Sequence, residues 1–280
     1  MCSCHCSMIR VFQCEDTLTG ILTGVYDAWD SRLGHDHVRL TTADHENLEL
    51  FCEYVDVKPD TGKAEKVLRT IRTRMGEEAY EMIGYASSYP DDRKADAIYR
   101  MIVLGLRLPD GREVSRMLTQ PDVRLVFELR RKAWHIAHRY MGFVRFRELS
   151  NGVLFSEIDA ESDVLALIAP HFADRLPGEH WVIYDRRRRK AAVHGAGGAW
   201  VILEEVEEER FPGLSDSGRE EAFEALWKTF HEAVGIASRV NPKLQASLLP
   251  KKFRPFMTEF ADPKPLKVRE KSGSQNMHKT

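Results

Sequence analysis

Apolar positions recur with a helical period through most of the first half of the chain and with a period of two through much of the second. Leu18, Ile21, Leu22, Val25 and Trp29 fall at helical spacing, which predicts a helix over 17–29 after a short strand at 8–13. A second strand is expected over 48–57. From Gly62 onward the pattern is helical in four blocks, 64–75, 77–87, 92–106 and 121–140, punctuated by Pro90, Pro109, Asp110 and Gly111. After Gly142 the period changes to two. Ser150, Asn151 and Gly152 lie between alternating runs at 143–149 and 153–158, a hairpin signal. Ser162 or Asp163 can cap a helix through about Ala169, with Pro170 suited to the first turn of a continuing segment. Strand-like runs follow at 180–186, 190–194 and 199–206. Gly195, Gly197 and Gly198 fit a hairpin bend, because a phosphate loop would need a helix after it. Ser217 and Glu220 form a capping-box pair opening a helix lined by Ala222, Phe223, Leu226, Trp227, Phe230 and Val234, which Asn241 and Pro242 stop. Two short helical pieces at 243–248 and 251–260 complete the pattern, and the polar tail from Ala261 reads as disordered.

These elements predict an α+β fold: a helix-rich N-terminal region with two short strands over 8–140, a mixed and mainly antiparallel sheet with flanking helices over 141–260, and a tail over 261–280. At 280 residues, 43% hydrophobic and 30% charged, the chain can build one large core or two modest ones. No run approaches the roughly 18 apolar residues a membrane span needs, and the opening residues lack the apolar stretch of a secretory signal, so the expectation is a cytoplasmic protein with no membrane partner.

A net charge of −2 hides a segregated distribution. On the helix at 121–140, Arg124, Arg131, Lys132, His135 and Arg139 fall within about a third of the circumference, and Val123, Val126, Phe127, Trp134, Ala137 and Met141 are assigned to the opposite, packing face. The helix runs into the 143–149 strand, where Phe143 alternates with Arg145 and Arg147. A second cationic group, Arg186, Arg187, Arg188, Arg189 and Lys190, sits at a hairpin tip, with the acidic group Glu204, Glu205, Glu207, Glu208 and Glu209 close behind it. Such density neutralises phosphates, although a solvated helix face or an acidic protein partner would use the same charges.

The five cysteines are Cys2, Cys4, Cys6, Cys14 and Cys52, an odd number with three crowded beside His5. That is no disulfide framework, and it lacks the C-x2-C pairs of zinc modules and the C-x3-C-x2-C of a radical S-adenosylmethionine cluster. A start at Met8 would remove the terminal group. His135 and His138 neighbour each other on a helix without a third ligand, so no metal and no cofactor is predicted. His45 and His231 lack the second histidine of H-E-x-x-H, and neither a Walker loop nor a zinc-deaminase motif pair occurs. His171, Asp174 and Asp185 could act as acid and base if one pocket gathered them; the alternative pairs Asp174 or Asp185 with Arg145 or Arg147 in the sheet layer.

Several segments carry a family likeness: AHRYMGFVRF at 137–146, LALIAPHFADRLP at 165–177, WVIYDRRR at 181–188, LWKTFH at 226–231, and NPKLQ with PKKF near Asn241 and Pro250. In order, they resemble a bacterial family described as DNA-metabolism or DNA-repair proteins, whose domain is of unknown function. TLTGILTGVYDAW at 17–29 is similar to that family's opening helix, whereas residues 1–7 have no counterpart. Members tend to be encoded beside a radical S-adenosylmethionine protein thought to act on DNA, and the domain also occurs fused to uracil-DNA glycosylase-like domains. The resemblance therefore implies a DNA-repair context and such a partner, but no catalytic residues.

The leading expectation is a DNA-binding accessory protein of repair. Arg124, Arg131, Arg139, Arg145, Arg147 and Arg186 to Arg189 would meet phosphate, with Phe143 as a stacking surface. The alternatives are a glycosylase- or nuclease-like enzyme using His171, Asp174 and Asp185, and a protein scaffold using the acidic edge.

Overall fold

The computed structural model describes residues 8–43, 49–206 and 251–257. The capping box at Ser217, the helix after it, the terminal cysteines, Glu207 to Glu209 and the tail lie outside the described residues. The chain divides into two compact units, Met1–Ser215 and Asp216–Thr280. The expected regional boundary after residue 140 falls inside a helix of the first unit.

The first unit opens with β1 (Ile9–Gln13), α1 (Leu18–Asp30), β2 (Val38–Thr41) and β3 (Cys52–Asp56). The three strands form a parallel sheet in the order β2-β1-β3. Thr17 caps α1, its side chain accepting from the Gly20 amide at 3.0 Å. β2 has no counterpart in the sequence-based expectations.

Three long helices follow: α2 (Thr61–Ser88), α3 (Lys94–Arg107) and α4 (Pro121–Phe143). Asp60 caps α2 through the Lys63 amide at 2.9 Å, and Pro121 occupies the first turn of α4, where its missing N–H costs nothing. Ile71, Met75, Ile83, Ile98, Ile102, Val123, Val126 and Leu129 meet in one core with α1 and β2. Lys94 is buried in this layer, donating to the Tyr89 carbonyl at 2.7 Å and pairing with Asp16. α2 is two helical segments meeting at a kink, as the blocks predicted at 64–75 and 77–87 imply; the kink is Gly76, whose φ of 82° and ψ of 175° are reached almost solely by glycine.

The remaining elements are β4 (Arg147–Glu148), β5 (Leu154–Ile158), α5 (Leu165–Arg175), β6 (Trp181–Asp185), β7 (Lys190–His194) and β8 (Trp200–Leu203). They form a mixed sheet in sequential order, parallel between β5 and β6 and antiparallel elsewhere. α5 makes the crossover that a parallel pair requires. The fold is α+β, with helices concentrated in the N-terminal half.

Two local expectations are corrected. The strand predicted over 143–149 is only the two residues of β4, because α4 continues to Phe143 and the Val144 amide still bonds the Tyr140 carbonyl at 2.9 Å. Neither Ser162 nor Asp163 caps α5, which starts after Val164 without a side-chain cap and continues through Pro170.

Gly76→Ala is expected to cost about 1–3 kcal/mol, because alanine is strained at that backbone conformation. Gly84→Ala, inside the same helix with nothing within 4 Å of an added Cβ, should instead add up to about 1 kcal/mol. Urea melts of the two variants should shift in opposite directions.

Candidate nucleic-acid interface

α4 buries one stripe and exposes the other. Val123, Val126, Leu129, Ala133, Ala137 and Tyr140 are buried at three- and four-residue intervals and pack toward α2, α3 and α5. Arg124, Arg131, Lys132, His135, His138 and Arg139 lie on the exposed side. Lys132 is drawn over the Tyr89 ring, 5.3 Å from its centroid. Arg124, Arg131 and Arg139 have no side-chain partner among the described residues, and from the first to the last they span about 22 Å along the helix axis. Glu128 is the acidic residue on this side, and its field reaches Arg93.

Trp134 does not share the packing face. It is 41% exposed, its indole stacked on His138 at 4.9 Å and 9° and meeting His135 edge-on at 5.1 Å. The helical wheel contains this placement, since Trp134 stands about 40° from His138 and about 60° from Arg131.

The other predicted phosphate contacts divide differently. Arg145 turns back to donate to the Gly142 and Val144 carbonyls at 2.9 and 3.2 Å, closing the C-terminus of α4. Arg147 lies over the Phe155 ring at 5.3 Å. Phe143 ends the helix half-buried, while Phe146 packs against Phe172 and Trp181, with centroids 5.3 and 6.3 Å away.

At the β6–β7 tip the arginines are not equivalent. Arg188 donates to the Ala160 and Glu161 carbonyls at 2.7 Å each and to Asp185 Oδ2 at 3.1 Å. Asp185 is fully buried, and its Oδ1 accepts from the Arg187 amide at 3.0 Å. Burial pushes the Asp185 carboxyl up, and the Arg188 charge and both hydrogen bonds pull against it. The partner of Asp185 is therefore Arg188, not Arg145 or Arg147, because Asp185 sits at the tip end of β6. Arg186 reaches Glu157 at 3.4 Å while staying 60% exposed. Arg187 is exposed, with only its amide engaged among the described residues, and Arg189 holds a left-handed φ of 55°, its carbonyl accepting from the Val206 amide. Lys190 lies between Asp163 and Glu204, at 3.4 and 3.0 Å.

His171, Asp174 and Asp185 are not brought together. α5 packs against β7 and β8; Asp163, just before it, lies near Asp185, while Asp174 is 11 residues on, about 16 Å along a helical rise. His171 packs edge-on against Phe172, and Asp174 is exposed. A cavity of about 430 Å³ bordered by Tyr80, Tyr85, Asp163, Arg188 and Trp200 includes none of the three. Cys14 is a buried thiol pushed up to about 12 by burial. Among the described residues, no three His, Cys, Asp or Glu side chains are placed to hold a metal ion, and no helix is long and apolar enough to cross a membrane.

The model of a family described as a domain of unknown function, DUF4130, matches residues 92–259. No curated protein matches the chain. A solved structure described as the DHH domain of a member of a family of ribosomal proteins is similar over 68% of this chain and 74% of that one, at 11% identity and a TM-score of 0.32. That superposition is too loose to transfer a fold.

Arg188→Ala should cost about 3 kcal/mol, the lower end of the range for stranding a buried partner, since Arg188 keeps 22% of its side chain in water. Adding Asp185→Asn should restore part of the loss, and Arg187→Ala should leave stability within about 0.5 kcal/mol. A carboxylate raised by its surroundings binds more protons folded than unfolded, so its cost grows as pH rises through the folded value and fades as pH falls toward the ordinary one. Thermal melts should therefore show the Arg188→Ala defect shrinking as pH is lowered toward about 4.

Proposed function

The chain belongs to the DUF4130 family, and we propose that this member is a cytoplasmic DNA-binding accessory protein of repair whose phosphate-contacting surface is the exposed side of α4. The observation that carries the reading is the alignment of unpaired arginines on one helix face, since single arginines without an ion pair, such as Arg69, Arg74 and Arg116, also occur elsewhere among the described residues. Arg10, Arg39, Arg72, Arg93 and Arg100 each face a carboxylate within 3.4 Å. Arg124, Arg131 and Arg139 have no such neighbour among the described residues, although they share one helix face. Exposed guanidiniums aligned along a rigid element and left uncompensated suit a polyanion, to which each brings planar, permanently charged donors. Arg187 and Arg186 supply further cations at the β6–β7 tip, while Arg188 serves the fold.

The repair context and a radical S-adenosylmethionine partner follow from the motif resemblance, and copurification from cells would test the partner. Proton transfer by His171, Asp174 and Asp185 draws no support from the cavity of about 430 Å³, which none of the three borders. The acidic-edge scaffold is weakened at Glu204, which is spent on Lys190.

Binding to DNA should weaken steeply with salt, through release of counterions. In fluorescence anisotropy titrations, Arg124→Ala, Arg131→Ala and Arg139→Ala combined should reduce the slope of log affinity against log salt by about 2–3 for duplex DNA, near 0.9 per phosphate contact. An unchanged slope, or an affinity indifferent to salt, would remove α4 as the contact.

A further inference from the structure

Trp134 is the large aromatic residue that α4 leaves on its cationic side, with 41% of its surface in water. An exposed indole has a hydrophobic cost that a core position would avoid. His138 lies parallel to the ring at 4.9 Å and His135 meets it edge-on at 5.1 Å, so the indole is held in one orientation by its own helix. Arg130 and Arg131 stand one turn before it, at i−4 and i−3, and neither has a side-chain partner among the described residues. Arg139 lies beyond His138. The result is a flat ring flanked on both sides along the helix by unpaired cations.

Resting on the DNA-binding reading, we propose that Trp134, steadied by His138, is a stacking platform for an unpaired nucleobase, and that this surface prefers single-stranded nucleic acid to duplex. The charge around the ring selects a polyanion over an apolar peptide, and the ring itself selects the strand state. In a duplex, the faces of each base are covered by its neighbours, so an indole at the surface gains nothing there. In a single strand a base can leave its neighbours and lie on the indole while Arg130, Arg131 and Arg139 reach the flanking phosphates. Every base presents such a face, so the preference is for strand state and not for sequence.

The test compares oligothymidylate with a hairpin duplex of equal charge, both fluorescein-labelled, against full-length protein. Trp134→Ala should weaken oligothymidylate binding by about 5- to 150-fold and change duplex binding less than about twofold, while Trp134→Phe retains most of the affinity. Oligothymidylate should also quench indole fluorescence in the wild type, and Trp134→Ala should lose that component. Because the ring is exposed, loss of fold is not expected, and the duplex arm reports it if it occurs. Salt-dependent binding to both probes with no effect of Trp134→Ala would overturn the platform alone and leave the ring to a protein partner. Equal losses on both probes would overturn the strand preference. Failure of the wild type to bind either probe would sink the DNA reading itself.

Discussion

The buried stripe of α4 is the constraint on which the first unit depends. Val123, Val126 and Leu129 join the core built by α1, α2 and α3, while Ala133, Ala137 and Tyr140 continue the same line of contact toward α5. Small residues at 133 and 137 allow close approach in the second half, and larger ones fill the first half. A helix seated this firmly along its whole length cannot rotate, so the direction of its opposite side is fixed as well. The cations and the indole owe their position to residues that never meet solvent.

The C-terminus of α4 is tied to the sheet through one short loop. Tyr140 donates to the Asp159 carbonyl at 2.7 Å, and Arg188 donates to the next two carbonyls, those of Ala160 and Glu161. Both contacts satisfy backbone oxygens that neither helix nor strand can use. Asp185 completes the arrangement by holding the guanidinium from the strand end, so the loop after β5, the tip of the β6–β7 hairpin and α4 share one polar junction. Burial of the tyrosine hydroxyl there pushes it up, beyond the usual phenol range, which keeps it a donor.

Much of this architecture was legible in the chain, where local chemistry decides. Thr17 and Asp60 mark helix starts by the cap they make, Gly76 separates two periodic blocks, and Gly152 turns a hairpin. What stayed hidden depends on distant partners. β2 is four residues long, and it is held as a strand by parallel pairing with β1 and by hydrogen bonds between its backbone and Asp96 and Arg100 of α3. The alternation of Phe143, Arg145 and Arg147 mimics a strand, yet one more helical bond and the return of Arg145 onto its own helix end settle it otherwise. Asp185 and Arg188 are close in sequence, but their pairing is locked by the loop that precedes α5. At the proposed interface the cationic side of α4 was readable from spacing, and Trp134 was misassigned because an aromatic residue was presumed to face inward.

A chain of net charge −2 cannot draw nucleic acid by its overall field, so any attraction must be local. The hairpin tip illustrates why counting cations overstates such attraction. Of five in a row, Arg188 is consumed by the fold, Arg186 and Lys190 face carboxylates, and Arg187 is the clearest remaining contributor. The four arginines of α4 without a partner among the described residues, Arg124, Arg130, Arg131 and Arg139, correspond to about four displaced counterions, fewer than the roughly 6–10 phosphate contacts of strongly salt-dependent binders. A surface with so few charges gains useful affinity only if a short-range interaction accompanies them. An indole stacked on His138 and met edge-on by His135 on that face is the kind of group that supplies it, since stacking survives at salt concentrations that screen the guanidiniums.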